Sequence, residues 1–542
     1  VTQVSNGVGH SCLINHPAIC FSHMASTLYK TPIALVCLTC IGYGRRLQTP
    51  AKRIPGDWIT ARALECLLLR LNPTAAYNPC LSPSSSILAN LHPLQGSADQ
   101  ARHSHIHLSD GQDVDLWASL RARQKELDAE LVTRWRKAEY RAQAFACRGW
   151  VRRVALEWPL AAIGTADGQL LVADVSTGDS IATQSAAHPS YVNSAASNRD
   201  MQLLYGEWDG GGLTALAFRN RIIVSAGRDG GAKIWRLVSS AKETNLMDIQ
   251  EVARLQDPSS STSSVVSRIK LTGGHTRDQG SNFHIWLASL DGKVQRWDYN
   301  IGSDVGGTGP LPDAPAPRCT LTLRTQAAVL DMAILEERGL IACSTANGGV
   351  ELFSIDSGVQ QGSWYPLAFD GSRGYKGERA RSVAFIPVDR KDEPFTYCVV
   401  VGGSDGSMHA RFLAAVNQET AVGSNNQRDV FDGAPPPVAL LPSHRGSCVA
   451  ITAIGEKASG LFVSGAHDGT CRMWDLDWRP EKGTSSMPPL TKDISKDGGP
   501  ACLFGLTGFK PWLGSLATDG KRLVSDGRDN AVVVLDFSSD SK

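Results

Sequence analysis

Three imidazoles, His103, His105 and His107, alternate in the stretch His103-Ser-His105-Ile-His107. In an extended strand that spacing sets all three on one face, an arrangement able to ligate a transition metal. No carboxylate cluster accompanies them, so a solvated loop is the favoured reading and no metal is assigned. Cys37 and Cys40 form a lone CxxC, whereas a four-ligand zinc site needs a second pair at compatible spacing, and none follows closely. The 13 cysteines are odd in number and scattered, which argues against a disulfide framework. The sequence has no Walker phosphate loop, GxSxG elbow, HExxH helix or kinase signature set. The expectation is therefore no enzyme and no cofactor.

Another set of residues recurs in order. Asp167, Asp229, Asp291, Asn347, Asp405 and Asp468 each precede a glycine, and Asp529 precedes Asn530. Successive members lie about 60 residues apart, each between two short apolar runs. Six residues beyond the turn comes Trp235, Trp297, Phe353, Trp474 or Leu535, while in the fifth copy the aromatic residue shifts to Phe412. Asp-Gly between strands predicts a tight two-residue hairpin turn, because glycine accepts positive φ freely. A further short strand precedes each turn by about 20 to 30 residues, so the repeating unit is a meander of four strands, a to d. These turn residues are expected to hold structure rather than to catalyse.

The segments Ser225…Asp229…Trp235, Trp297-Asp298 and Ser464…Asp468…Trp474-Asp475 resemble the WD-repeat family of β-propellers, and the likeness runs from about Phe145 to Phe537. It implies an all-β fold, a seven-bladed β-propeller over residues 143–540. The family repeat is about 40–45 residues, so the excess is expected to loop out at Pro258–Ser264, Gly302–Pro317, Ala414–Pro437 and Glu481–Gly499. The resemblance also implies a hydrogen-bonded set of His, Ser, Asp and Trp within a blade, with His444 placed for the sixth and His188 a candidate for the second. The seventh repeat has no residues for its outer strand, and the segment at about Arg141 to Arg148 is expected to supply it. In such a propeller the b–c and d–a loops line the narrower face, and the residue before each turn residue points to the channel. Those residues are Ala166, Arg228, Leu290, Ala346, Ser404, His467 and Arg528, and the d–a loops add Arg379, Arg381, His444 and Arg445. Arg forks match carboxylate and phosphate geometry. A partner-binding face of Arg228, His467, Arg528, Arg381 and Arg445 is therefore expected.

The elements in front of the repeats read differently. Leu116, Leu120, Leu127, Leu131, Trp135 and Ala138 form a stripe near the helical period, so a helix is predicted over 111–142. Residues 115–153 hold ten Lys/Arg against five Asp/Glu, but the Leu/Trp stripe needs burial, so packing on the propeller or on a partner is favoured over nucleic acid. Residues 1–110 show no sustained period and are expected to be largely irregular, with a short helix at Ile59 to Leu71. Read from Met24, the stretch Lys30 to Arg46 has the pattern of a leader, although a poorly ordered N-terminus is the favoured reading. The apolar run Ile33 to Tyr43 is too short to span a membrane.

The chain of 542 residues carries 54 Lys+Arg and 53 Asp+Glu, a net +1, so no global field drives nucleic-acid binding. The expected function is a non-catalytic interaction scaffold, cytoplasmic and/or nuclear, for proteins or acidic or phosphorylated peptides. The alternative is an F-box-type substrate receptor of a ubiquitin ligase, reaching the ligase adaptor through residues 50–145. That likeness is slight: Trp58 to Pro73 is short for an F-box and lacks its Leu-Pro start.

Overall fold

The chain divides into two units, Val1–Ser82 and Pro83–Lys542, and every described residue belongs to the second. The computed structural model describes residues 110–188, 212–227, 229–240, 247–255, 264–273, 282–300, 316–367, 378–388, 397–414, 429–455, 460–478, 499–509, 513–527 and 530–538, with side chains from 118 onward. The expected leader, the CxxC, the helix at 59–71, the triple-histidine stretch and most of the F-box segment lie outside them.

Seven four-stranded antiparallel sheets follow one another along the chain. Their first strands are Val151–Glu157, Leu213–Arg219, Val266–Gly273, Val329–Leu335, Ala380–Pro387, Cys448–Ala453 and Leu516–Thr518. Each first strand packs beside those of the preceding and following sheets, and the seventh returns to the first. The result is a closed ring of seven blades.

Burial explains the ring. A blade's middle strands are apolar on both faces, as in Ile222–Gly227 and Leu461–Ala466, where every residue is buried. Both faces need covering, and only neighbouring blades can do it. Seven large apolar clusters result, and each joins two consecutive blades. Ile285 and Trp297 of blade three pack on Val224 of blade two, for example, and Val524 of blade seven packs on Ile163 of blade one.

The closure expected from the sequence is present. Blade seven takes its outer strand from Arg141–Ala146, which pairs antiparallel with Ala531–Asp536 in a register running from Arg141↔Asp536 to Ala146↔Ala531. N-terminal and C-terminal segments are thereby fastened in one sheet.

The helix runs from Asp110 to Lys137 and stops short of the expected 142. Ala138 adopts φ 57, and Glu139 N–H donates to the Arg134 carbonyl at 3.0 Å, a left-handed C-terminal cap. The residues beyond are drawn into the closing strand instead. The helix end packs on blades six and seven. Trp135 is 1% exposed, stacks on Phe537 with ring centroids 3.5 Å apart, and donates its Nε1–H to the Gly520 carbonyl at 2.9 Å. Arg136 pairs with the buried Asp475 carboxylate at 2.8 Å. The helix therefore packs on the propeller, as its stripe implied.

The b–c hairpins correct one expectation. The turns are three-residue loops, not two-residue ones. Thr165 N–H donates to Gln169 O, and Gly168 N–H returns to Thr165 O, so Ala166, Asp167 and Gly168 form the loop. Only the glycine has positive φ, at 87°. This geometry is an aspartate turn ended by a left-handed glycine, a common longer hairpin connection.

Trp135 joins the helix to the seam where the ring closes. Trp135→Ala is expected to lower stability by about 3–5 kcal/mol. In a urea titration the loss should accompany earlier proteolysis within the helix. An unchanged urea midpoint would show that the closure does not depend on the helix.

Candidate docking site at the axial mouth

The turn residues act locally. In blade two His188 bridges Asp229 and Ser225, with Nδ1···Oδ1 and Nε2···Oγ both 2.8 Å, and Trp235 donates Nε1–H to Ser225 Oγ at 2.7 Å. Blade six repeats this with His444, Asp468, Ser464 and Trp474, where His444 Nε2 lies 2.7 Å from Ser464 Oγ and Trp474 Nε1 lies 2.9 Å from it. Burial pushes the Asp229 carboxyl up, but the His188 hydrogen bond and the Lys233 charge bring it below its ordinary value. Elsewhere the turn residue braces its own hairpin. Thr165 bonds Asp167, Thr345 bonds Asn347, Ser407 bonds Asp405, and Lys293 N–H donates to Asp291. Asp529 lies outside the described residues.

Two blades carry half of the hydrogen-bonded set. In blade three Trp297 is present, but Leu287 stands where Ser225 and Ser464 stand, and the buried Trp297 Nε1 finds no partner among the described residues. In blade seven Ser525 is present, but Leu535 replaces the tryptophan, and Ser525 Oγ is likewise orphaned.

The same loops converge on one end of the ring. Backbone N–H groups of Ala166, Leu290, Ala346, Ser404 and His467 donate to Trp150, Val265, Ala328, Arg379 and Ser447, at or just before the first strands. Turn loops and strand starts therefore share a rim. In six blades the first strand opens with a register shift: Val151/Arg153, Leu213/Ala215, Val266/Arg268, Val329/Asp331, Ala380/Ser382 and Cys448/Ala450. A bulge re-aims the side chains beside it. Here it directs them to the axis, where a narrow cleft is lined by Arg153, Arg268, Arg381, Asp331, His467 and small or apolar neighbours.

The lining holds three guanidiniums against one carboxylate. Asp331, 2% exposed, accepts from Arg268 Nε at 2.8 Å and from Val383 N–H at 3.1 Å. Arg153 is fixed by carbonyls: Nε to Thr214 O at 2.7 Å, and Nη1 to Arg152 O at 3.0 Å and Gly514 O at 3.1 Å. These bonds tie blade one to blades two and seven.

The expected face is thus redistributed. His467 lines the mouth, but burial and the charges of Arg381, Arg152 and Arg153 press its pKa down to about 4, so it is neutral at pH 7. Arg381 is not a loop residue. It lies on the first strand of blade five, 8% exposed, inside the cavity. His444 is enclosed in its blade. Arg445 is exposed, and its N–H donates to Asp468 at 2.9 Å. Arg228 and Arg528 lie outside the described residues. Arg153, Arg268 and Asp331 escape a count based on the turns, and the signal for them is the third residue of each first strand, counted back from the hairpin partner.

A family model for the WD domain, G-beta repeat, matches residues 436–475. That window covers the end of blade five and strands a to c of blade six, whose set of four is complete. The chain is a WD-repeat β-propeller. A search of curated proteins finds no match. Among the WD repeats here, blade two has the same four residues, but 41 positions separate its His188 from Asp229, against 24 for His444 and Asp468. The insertion between them stretches blade two well beyond the spacing of the matched repeat.

Two predictions follow from these contacts. Trp474→Phe removes a satisfied hydrogen bond, whereas Trp297→Phe removes an orphaned donor. The first is expected to cost about 1 kcal/mol more than the second in chemical denaturation, and equal costs would contradict the geometry. Second, burial chiefly, with Arg472, lowers His444 to about 4, and His467 is also held near 4, from an ordinary 6.5. The unfolded chain then binds more protons between these values, so stability falls as pH drops from 6.5 towards 4. His467→Gln should remove about one proton from that slope, measured from urea midpoints across the window; an unchanged slope would place His467 outside the effect.

Proposed function

We propose that this WD-repeat propeller is a non-catalytic scaffold that docks an acidic protein segment over its axial mouth. The fold is one that fits protein interaction. The observation supporting the finer reading is the charge of the mouth: Arg153, Arg268 and Arg381 around the cavity against Asp331, with exposed Arg445 on the neighbouring rim. Cationic groups held in a low-dielectric concavity focus field and favour anionic partners. Guanidinium forks add geometric selection for carboxylates. Arg228 and Arg528, expected on this face from the turn count alone, are proposed to extend it.

The test is charge alteration on the rim. Arg445→Glu with Arg528→Glu is expected to weaken partner capture by the full chain about tenfold or more, and the loss should grow as salt falls. Arg318→Glu, on the exposed outer strand of blade three, is the control. Partners retained by the rim variant and lost by the control would move the docking surface elsewhere.

A further inference from the structure

Among the described residues, three lysines are buried or half-buried in the propeller, and two of them have partners. Lys233 Nζ donates to the Ala187 carbonyl at 2.5 Å and lies 3.8 Å from Asp229, and Lys293 pairs with Asp291 at 3.0 Å. Lys270, half-buried on the first strand of blade three, is the exception. Its ammonium has no hydrogen bond or ion pair among the described residues.

Its place in the blade explains why. Lys270 lies opposite Trp286 across the strand pair, so both side chains stand on the face that meets blade four. There Trp286 joins Met332, Ile341 and Phe353 in one apolar cluster. Arg268 shares that face, two residues along the same strand. The carboxylate within reach of the seam, Asp331 of blade four, is already taken by Arg268 Nε at 2.8 Å and Val383 N–H at 3.1 Å. Arg268 and Asp331 are the charged groups that act on Lys270. An ammonium withdrawn from water beside a second cation, with no anion of its own, favours the neutral amine. Burial chiefly, and then Arg268, bring its pKa from 10.5 down to about 8. About a fifth of it is then free amine at about pH 7.4, against roughly one part in a thousand for an ordinary lysine.

We infer that Lys270 is a carbamylation site, which takes up carbon dioxide at the seam between blades three and four. Only the neutral amine has the lone pair for this step. The amine is recessed among apolar side chains, where a small uncharged electrophile reaches it and a bulky or ionic acyl donor is hindered. The nitrogen lone pair attacks the carbon of carbon dioxide. A C–N bond forms, one C=O π pair moves onto oxygen, and the nitrogen gives up one proton to water. The product is a carbamate anion. A cation that repels Arg268 is thereby replaced by an anion that attracts it, so Arg268 gains a second acceptor besides Asp331. The carbamate forms whether or not a partner docks at the mouth.

The full chain is equilibrated with isotopically labelled carbon dioxide and bicarbonate at neutral pH. Carbamates are trapped as ethyl esters with triethyloxonium ion before digestion and mass spectrometry. Lys270 is expected to carry the trapped label about tenfold or more above exposed Lys125 and Lys521. The carbamate signal in carbon NMR should disappear in Lys270→Gln. Site occupancy is read on the unaltered protein, so the test stands even where the variant fails to fold. Label on Lys270 within twofold of Lys521, or below it, would overturn the inference, as would a carbamate signal that persists in folded Lys270→Gln.

Discussion

Every blade of this protein has two apolar faces and no means of covering them alone. That constraint sets the rest of the structure. Each large apolar cluster lies between two consecutive blades. A gap anywhere in the ring would expose two such faces at once, at roughly 25 cal/mol for each Å² of apolar surface. The strand Arg141–Ala146 therefore has importance beyond its six residues. Its own side chains are mostly exposed, so it contributes little burial. What it supplies is the backbone partner for Ala531–Asp536 and a covalent route to the helix, whose Trp135 and Arg136 fasten onto blades six and seven. Local interactions of modest strength thus guard a much larger buried area.

Shared burial also explains why the blades need not be alike. The His, Ser, Asp and Trp set is complete in blades two and six, while Ile163, Cys343 and Val401 occupy the serine position in blades one, four and five. An apolar residue there packs against the neighbouring blade and leaves no polar group to satisfy. The two half-sets are less favourable, since each buries a polar atom that finds no partner among the described residues, at a cost of about 1–3 kcal/mol. They persist because the faces around them are covered on both sides: Trp297 is 5% exposed and Ser525 2%. The fold tolerates loss of the polar set more readily than loss of a neighbour.

This division decides what could be read from the sequence. Blade number, hairpin positions and the closing segment are legible because a Gly or Asn at positive φ recurs in every turn and an aromatic residue follows six places after the turn residue in four blades, whatever the polar set. The hairpin length was misjudged by one residue, since Asp-Gly fits both a two-residue turn and the end of a three-residue one. The helix end was also misplaced. Its basic last turn continues past Lys137 in composition, and only the closing strand's demand for residues 141–146 ends it. A long insertion separates His188 from its blade in sequence, although not in space.

The axial arginines were the least legible feature, for a geometric reason. The expectation places Arg381 on a d–a loop and only His467, Arg228 and Arg528 towards the channel. A bulge at the start of six inner strands turns that geometry inward. Arg381 then leaves the surface, and Arg153 and Arg268, unremarkable within apolar strands, meet it across the axis. His467 is held neutral in the same place, chiefly because burial, and then the arginines around it, disfavour a positive charge there. Sequence composition shows a chain of net +1 and no field. The bulges gather a few of its charges where water is scarce and neighbours are close, and there each charge acts on the next more strongly than it would at the surface.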